Sequence, residues 1–122
     1  MKMPSMRLKS LAHALRGVDH IVRTQPNARL HLLAAVLVCA AGVHVGLGRA
    51  AWRWISVAIA LVWSAEAFNT ALEQLADVLH PVRHAGIGRA KDVAAAAVLI
   101  VALGAAVIGL LVFVPHLVAL GR

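Results

Sequence analysis

Ile55-Ser56-Val57-Ala58-Ile59-Ala60-Leu61-Val62-Trp63-Ser64-Ala65-Glu66-Ala67-Phe68-Asn69-Thr70-Ala71-Leu72-Glu73-Gln74-Leu75-Ala76-Asp77 starts as an apolar run and turns acidic without a break. It holds three of the five carboxylates in the protein. At about 100° per residue, Asn69, Thr70, Glu73 and Asp77 fall roughly −60°, +40°, −20° and +20° from Glu66 around a helix, so all five polar groups share one stripe. An acid placed in a helix of membrane length is costly unless it faces a partner or a wet cavity, which makes this stripe a functional site by default.

The composition agrees with a membrane setting. The chain has 122 residues, enough for one domain, and 61% of them are hydrophobic against 14% charged. Mean hydropathy is +0.84. Such a chain is an integral membrane protein rather than a soluble globule. Its formal net charge of +7 sits beside the apolar runs, where Lys and Arg act as topology signals and contacts for anionic lipid, so nucleic acid is not an expected partner. A single cysteine, Cys39, lies mid-way along an apolar segment. It permits no intramolecular disulfide and is expected to be an inert thiol.

Working outward, residues 5–23 place Leu8, Leu11, Leu15, Val18 and Val22 at spacings of three and four, with Lys9, His13, Arg16, His20 and Arg23 elsewhere around the wheel. This is an amphipathic helix, either lying on the membrane surface or packing against the rest of the protein. Thr24-Gln25-Pro26-Asn27 interrupts it. Three spans follow, at about 29–48, 53–79 and 92–115. His31 and His44 fall near the ends of the first span and read as interfacial anchors. Trp52, Trp54, Arg49 and Arg53 form an interfacial belt where the second span begins. The stretch from His80 to Asp92, with Gly86 and Gly88, reads as a polar turn, and the third span then runs uncharged from Val93 to Val114, with Pro115 and His116 at its far end. The small residues Ala94, Ala97, Gly104, Ala105 and Gly109 suit close helix packing.

Lys2, Arg7, Lys9, Arg16, Arg23 and Arg29 precede the first span, and Arg83, Arg89 and Lys91 lie between the second and third. Only Arg49 and Arg53 occupy the other loop. The positive-inside rule places the amino terminus and the acidic end of the second span in the cytoplasm.

The stripe suits phosphotransfer. Glu66, in the drier position, is placed to take a proton from a lipid hydroxyl. Glu73, nearer water, suits Mg²⁺, which commonly takes one or two carboxylates and completes its shell with phosphate oxygens and water. Asn69 lies between them. Arg89, Lys91 and Asp92 stand opposite, with cations to balance a triphosphate. Plainer readings exist: Gln74 and Asp77 suit a solvated helix end, and Arg83, Arg89 and Lys91 are explained as topology charges. Gly86-Ile87-Gly88 lacks the Gly-Lys-Ser/Thr ending of a phosphate loop, and no two histidines share a helix at zinc-ligand spacing. Two rival functions remain open on these residues: a small proton-coupled transporter with Glu66 as carrier acid, and a non-catalytic scaffold.

Glu66-x-x-Asn69-Thr70-Ala71-x-Glu73-x-x-x-Asp77, followed by Ala90-Lys91-Asp92-Val93-Ala94-Ala95, resembles the signature of the prokaryotic diacylglycerol kinase family, which includes the undecaprenol kinases. Arg7-x-x-Ser10 with Ala14-x-x-Gly17, and Asn27-x-Arg29-Leu30-His31, extend the resemblance over nearly the whole chain. The resemblance implies an all-α membrane enzyme with a surface helix and three transmembrane helices, assembled as a homotrimer with shared active sites in the bacterial inner membrane. It implies ATP- and Mg²⁺-dependent phosphorylation of a lipid alcohol, undecaprenol or diacylglycerol, at the cytoplasmic face. By the same resemblance Glu66 is the general base and Asn69 a positioning group. Glu73 and position 25 would serve the metal, with Glu73, Asp77, Lys91 and Asp92 at the nucleotide and Ser10, Arg29 and Glu66 at the lipid. Two departures stand out: Gln25 replaces the family's usual glutamate, and His80-Pro81-Val82 stands in place of a common Glu-Tyr-His sequence.

Overall fold

The structure is a computed structural model that describes residues 3–122, with side chains described from Met6 onward. Lys2, counted among the topology charges, lies outside the described residues. Four helices make up the chain: α1 (Met3–Thr24), α2 (Pro26–Val45), α3 (Arg49–Leu79) and α4 (Ala85–Leu120). The last three are each long and apolar enough to cross a membrane, as the apolar runs predict.

On α1, Met6, Leu8, Leu11, Leu15 and Val18 are exposed, whereas Ile21 is buried. The apolar face therefore has no covering within the chain over most of its length. Of the two readings of this helix, the structure favours the one in which that face lies against lipid. Its carboxyl end is tied down by side chains. Thr24 Oγ1 donates to the His20 carbonyl at 2.8 Å, and Arg29 donates from Nε to Val22 O at 2.9 Å and from Nη2 to Arg23 O at 2.5 Å. The two bonds from Arg29 occupy carbonyls that the last turn of a helix leaves without partners, whereas the Thr24 hydroxyl bonds back within its own helix. Pro26 begins α2, where a missing N–H costs nothing.

The turn from α2 to α3 depends on two glycines. Gly46 takes φ +72°, the left-handed region, and Leu47 N–H donates to Gly42 O at 3.0 Å. That closes the helix end and sends the chain back. A Cβ at Gly42 would stand 2.9 Å from both Leu47 Cδ1 and Trp52 Cη2. The indole of Trp52 is therefore seated directly on the α2 backbone.

α3 has 31 residues, so at about 1.5 Å per residue it outruns the roughly 30 Å hydrocarbon layer and carries its acidic end past the membrane surface. Its buried residues are Ile55, Ala58, Val62, Glu66 and Thr70, one stripe at helical spacing that changes from apolar to polar at Glu66. The most extensive packing in the molecule is α3 against α4.

Both ends of the last helix extend beyond the expected span. α4 begins at Ala85 rather than Asp92, because the His84 side chain accepts the Gly86 N–H at 3.1 Å and caps the first turn. Gly86, Gly88 and Lys91 are helical, and only His80–His84 form the connection. α4 also continues through Pro115 to Leu120. Proline frees one carbonyl in the preceding turn, a cost that membrane helices tolerate.

Candidate active site

Glu66 is only 2% exposed, and so is Thr70. Glu66 Oε2, Asn69 Oδ1 and Thr70 Oγ1 are all buried without a hydrogen-bond partner among the described residues. Buried polar atoms are nearly always satisfied, so three orphans on adjoining turns of one helix set this stretch apart from the rest of α3. Among the described residues the acid has one chargeable group of opposite sign within ion-pair distance: His31 Nε2, on α2, stands 3.8 Å from Glu66 Oε2. Sequence reasoning treated His31 as an interfacial anchor, and the structure turns it inward instead. A signal was available, because His31 falls at spacings of three and four with Ala28, Ala35, Val38 and Gly42, which are buried or half-buried.

The remaining stripe residues divide by depth. Asn69 Nδ2 donates to Glu73 Oε1 at 3.3 Å, and both residues are half-buried. Asp77 is exposed and forms an ion pair with Lys91 Nζ, which joins the end of α3 to the first turns of α4. Asp92 is exposed one residue further on. A hollow of about 510 Å³ opens here, lined by Asp77, His80, Arg83, His84, Gly88 and Lys91. Arg83, Lys91 and Asp77 thus share one hollow, whereas Arg89, expected beside them, is exposed and is not among its walls.

Other expected participants lie on the α1–α2 side. Gln25 is half-buried on the link between these helices, and its amide donates to Thr24 Oγ1 at 3.4 Å. Arg29 is engaged with the α1 carbonyls described above, so its guanidinium fixes the helix junction whatever else it meets. Ser10 is exposed on α1. Gln74, read from sequence as part of a solvated helix end, and His20, on the polar side of α1, approach to 2.6 Å between side-chain nitrogens and tie α1 to α3. The fifth carboxylate, Asp19, accepts from Arg23 Nε at 2.8 Å and holds that guanidinium above its ordinary proton affinity. It is spent within α1.

Below the acid lies a second cavity of about 260 Å³ between α2, α3 and α4. Ala34, Ala35, Ala58, Val62 and Ala105 are among its walls, and His31 is the one titratable side chain that reaches it. An apolar slot therefore leads along the membrane interior to the imidazole that faces Glu66. Chemically, the arrangement offers a proton acceptor in a dry place, a carboxylate and amide nearer water, and a cationic mouth.

Residues 12–113 match the prokaryotic diacylglycerol kinase family. The chain belongs to that family. Among its relatives, an undecaprenol kinase from Bacillus subtilis (strain 168) is 38% identical over 109 residues, covering 89% of each chain. A diacylglycerol kinase from Synechocystis sp. is 33% identical over 114 residues, 93% of this chain and 65% of that relative. As a member of the diacylglycerol kinase family, the protein is a lipid kinase and a multi-pass membrane protein. The fold and family together favour catalysis over the transporter and scaffold readings.

Proposed function

We propose that this kinase transfers the γ-phosphate of ATP to the hydroxyl of a membrane lipid alcohol, undecaprenol or diacylglycerol, at the cytoplasmic face of the bacterial inner membrane. The observation that carries the reading is Glu66: a carboxylate buried at the end of an apolar stripe, with one oxygen left without a hydrogen bond. A lipid hydroxyl that reaches this depth of the apolar layer would bring the hydrogen-bond donor that the oxygen lacks. Its proton passes to Glu66, its oxygen forms the new bond to the γ-phosphorus, and the bond from that phosphorus to the leaving ADP oxygen breaks.

Asn69 holds Glu73 through its amide and keeps the two carboxylates in register. Lys91, Asp77 and Asp92 take the nucleotide at the mouth, where the Lys91 charge opposes the phosphates. Ser10 and Arg29 flank the lipid from the α1 side.

The donor set fits Mg²⁺ brought by the nucleotide better than an ion held by protein alone. No group of three or more His, Cys, Asp or Glu side chains among the described residues is close enough to cage a metal, and Mg²⁺ commonly needs only one or two protein carboxylates. Glu73 would hold it, with the Gln25 amide oxygen in support. Bound there, the ion would offset charge on the phosphate oxygens. We further propose a homotrimer with sites shared between neighbours, consistent with an α4 that has no buried residue in the single chain.

The test is transfer of radiolabelled phosphate from ATP to undecaprenol and to diacylglycerol in detergent, with and without Mg²⁺. Wild-type protein is expected to label at least one acceptor only when Mg²⁺ is present. Glu66→Gln is expected to lower transfer at least about a thousandfold, within the range of general-base loss combined with misplacement of the acceptor. Full activity in purified Glu66→Gln protein would overturn the base assignment, and no labelled lipid with wild type would overturn the kinase reading of this site.

A further inference from the structure

We infer that Arg83 is a nucleotide-binding residue that grips the phosphates ADP retains, those farther from the lipid. The inference rests on the lipid-kinase reading of the site and adds a residue to it.

Three observations converge. The first is charge. Asp77, Arg83 and Lys91 are the charged side chains that line the hollow of about 510 Å³ beside the end of α3, a volume in the range of small-molecule sites, roughly 300–1,000 Å³. Lys91 is paired with Asp77, whereas Arg83 forms no ion pair among the described residues. The positive charge left over in the hollow is therefore that of a guanidinium, whose planar fork of N–H groups matches phosphate oxygens.

The second is a fixed backbone. Arg83 stands on the short connection between α3 and α4, bracketed by two side-chain bonds: His80 Nδ1 donates to Val82 O at 2.7 Å, and His84 Nδ1 accepts the Gly86 N–H at 3.1 Å. Pro81 restricts the chain further. A guanidinium presented from an anchored loop costs less to order around a ligand than one on a free loop. The bond to His84 also takes up the Gly86 N–H, so this end of α4 leaves the anion to the side chain.

The third is position along α3. Asp77 lies about 16 Å beyond Glu66 and about 6 Å beyond Glu73 by helical rise. With Glu66 at the lipid and Glu73 at the metal, Arg83, which shares the hollow with Asp77, falls at the outer end of the phosphate chain. It makes and breaks no bond, and it holds ATP and ADP alike. Contacts of that kind set affinity and leave the chemical step alone. A lysine or arginine that served only to orient the chain in the membrane would affect neither nucleotide.

The full-length protein in detergent tests this. Equilibrium dialysis with radiolabelled ADP and Mg²⁺, without lipid, is expected to give a Kd about tenfold higher for Arg83→Gln than for wild type, the effect of one charge-assisted hydrogen bond. In steady-state transfer the ATP KM is expected to rise by a similar factor with kcat within about twofold of wild type. Arg83→Lys, which keeps the charge and loses the fork, is expected to fall between the two. In wild-type protein, saturating ADP is expected to shield Arg83 from phenylglyoxal, read by mass spectrometry. Arg53, at the opposite end of α3, is expected to react equally with and without ADP.

An Arg83→Gln variant with wild-type ADP affinity would overturn the assignment. So would one that loses kcat at an unchanged ATP KM. Should Arg83→Gln fail to fold, the shielding measurement decides the matter alone, and equal modification of Arg83 with and without ADP counts against it. Wild-type protein that binds ADP through Arg83 but phosphorylates no lipid would leave the phosphate grip standing and remove the kinase reading.

Discussion

Glu73 differs from its two neighbours on the stripe in what it touches. Glu66 is buried opposite an imidazole, Asp77 is tied to Lys91, and among the described residues Glu73 bonds only to the amide of Asn69. It has no cationic partner among the described residues, which leaves it open to a hard divalent ion of the kind proposed above. At position 25, where a second carboxylate would help, the chain has an amide that also donates to Thr24. An amide oxygen ligates without contributing charge. Gln25→Glu is accordingly expected to lower the Mg²⁺ concentration for half-maximal phosphate transfer by about three- to tenfold, an added charge near the ion in partly screened surroundings. Glu73→Gln is expected to raise that concentration by at least as much and to cut the maximal rate. Titrating free Mg²⁺ at fixed ATP distinguishes the variants, and identical curves for Gln25→Glu and wild type would remove Gln25 from the metal's surroundings.

Among the elements, the three spans were legible because apolar length is a local property, and α1 because spacings of three and four survive in any reading of the chain. What local patterns missed were ends and partners. Gly86 and Gly88 argued for a turn, yet one capping imidazole at His84 starts the helix there; Pro115 argued for a stop, yet α4 runs past it. The partner of Glu66 lies on another helix, so no spacing within α3 announced it. Packing between elements supplies two predictions. Gly42→Val places carbon against the Trp52 ring and Leu47, contacts already at 2.9 Å for a Cβ alone. A rigid indole cannot yield as a flexible chain end would, and a loss of about 1–3 kcal/mol is expected, read as a lower unfolding temperature in detergent. At the α3–α4 junction, Asp77 and Lys91 side chains are 65% and 32% exposed. So open a pair contributes at most about 1 kcal/mol. Lys91→Met is therefore expected to leave thermal stability nearly unchanged and, with Lys91 at the nucleotide phosphates as proposed, to raise the ATP KM at least about tenfold. A large drop in stability with normal ATP KM would make the pair a structural clamp.

For the whole molecule, the decisive feature is how little one chain covers. Leu99, Ile100, Leu103, Leu110 and Leu111 on α4 are exposed, and Ala94, Ala97 and Gly104 offer places where another helix can come close. Lipid can cover the large side chains, but it gives no specific partner to a surface of small ones. A second copy can. In the proposed homotrimer, a site built between neighbours would take Glu66 from one subunit and Lys91 from the next. That arrangement has an arithmetic consequence. Glu66→Gln and Lys91→Met chains are mixed in equal amounts, dissociated and reassembled, and assayed at ATP well below the wild-type KM, where the raised ATP KM of Lys91→Met leaves that variant with little activity of its own. Each interface then receives an intact Glu66 half the time and an intact Lys91 half the time, so about a quarter of the wild-type activity returns. Within a single chain, however, α3 already links Glu66 to Asp77 and Asp77 already pairs with Lys91. If that internal connection is the working one, no mixture of the two variants regains activity, because every chain lacks one of the two groups. Recovery near a quarter thus selects the shared site, and none selects the single-chain site, in which the neighbours serve only to cover α4.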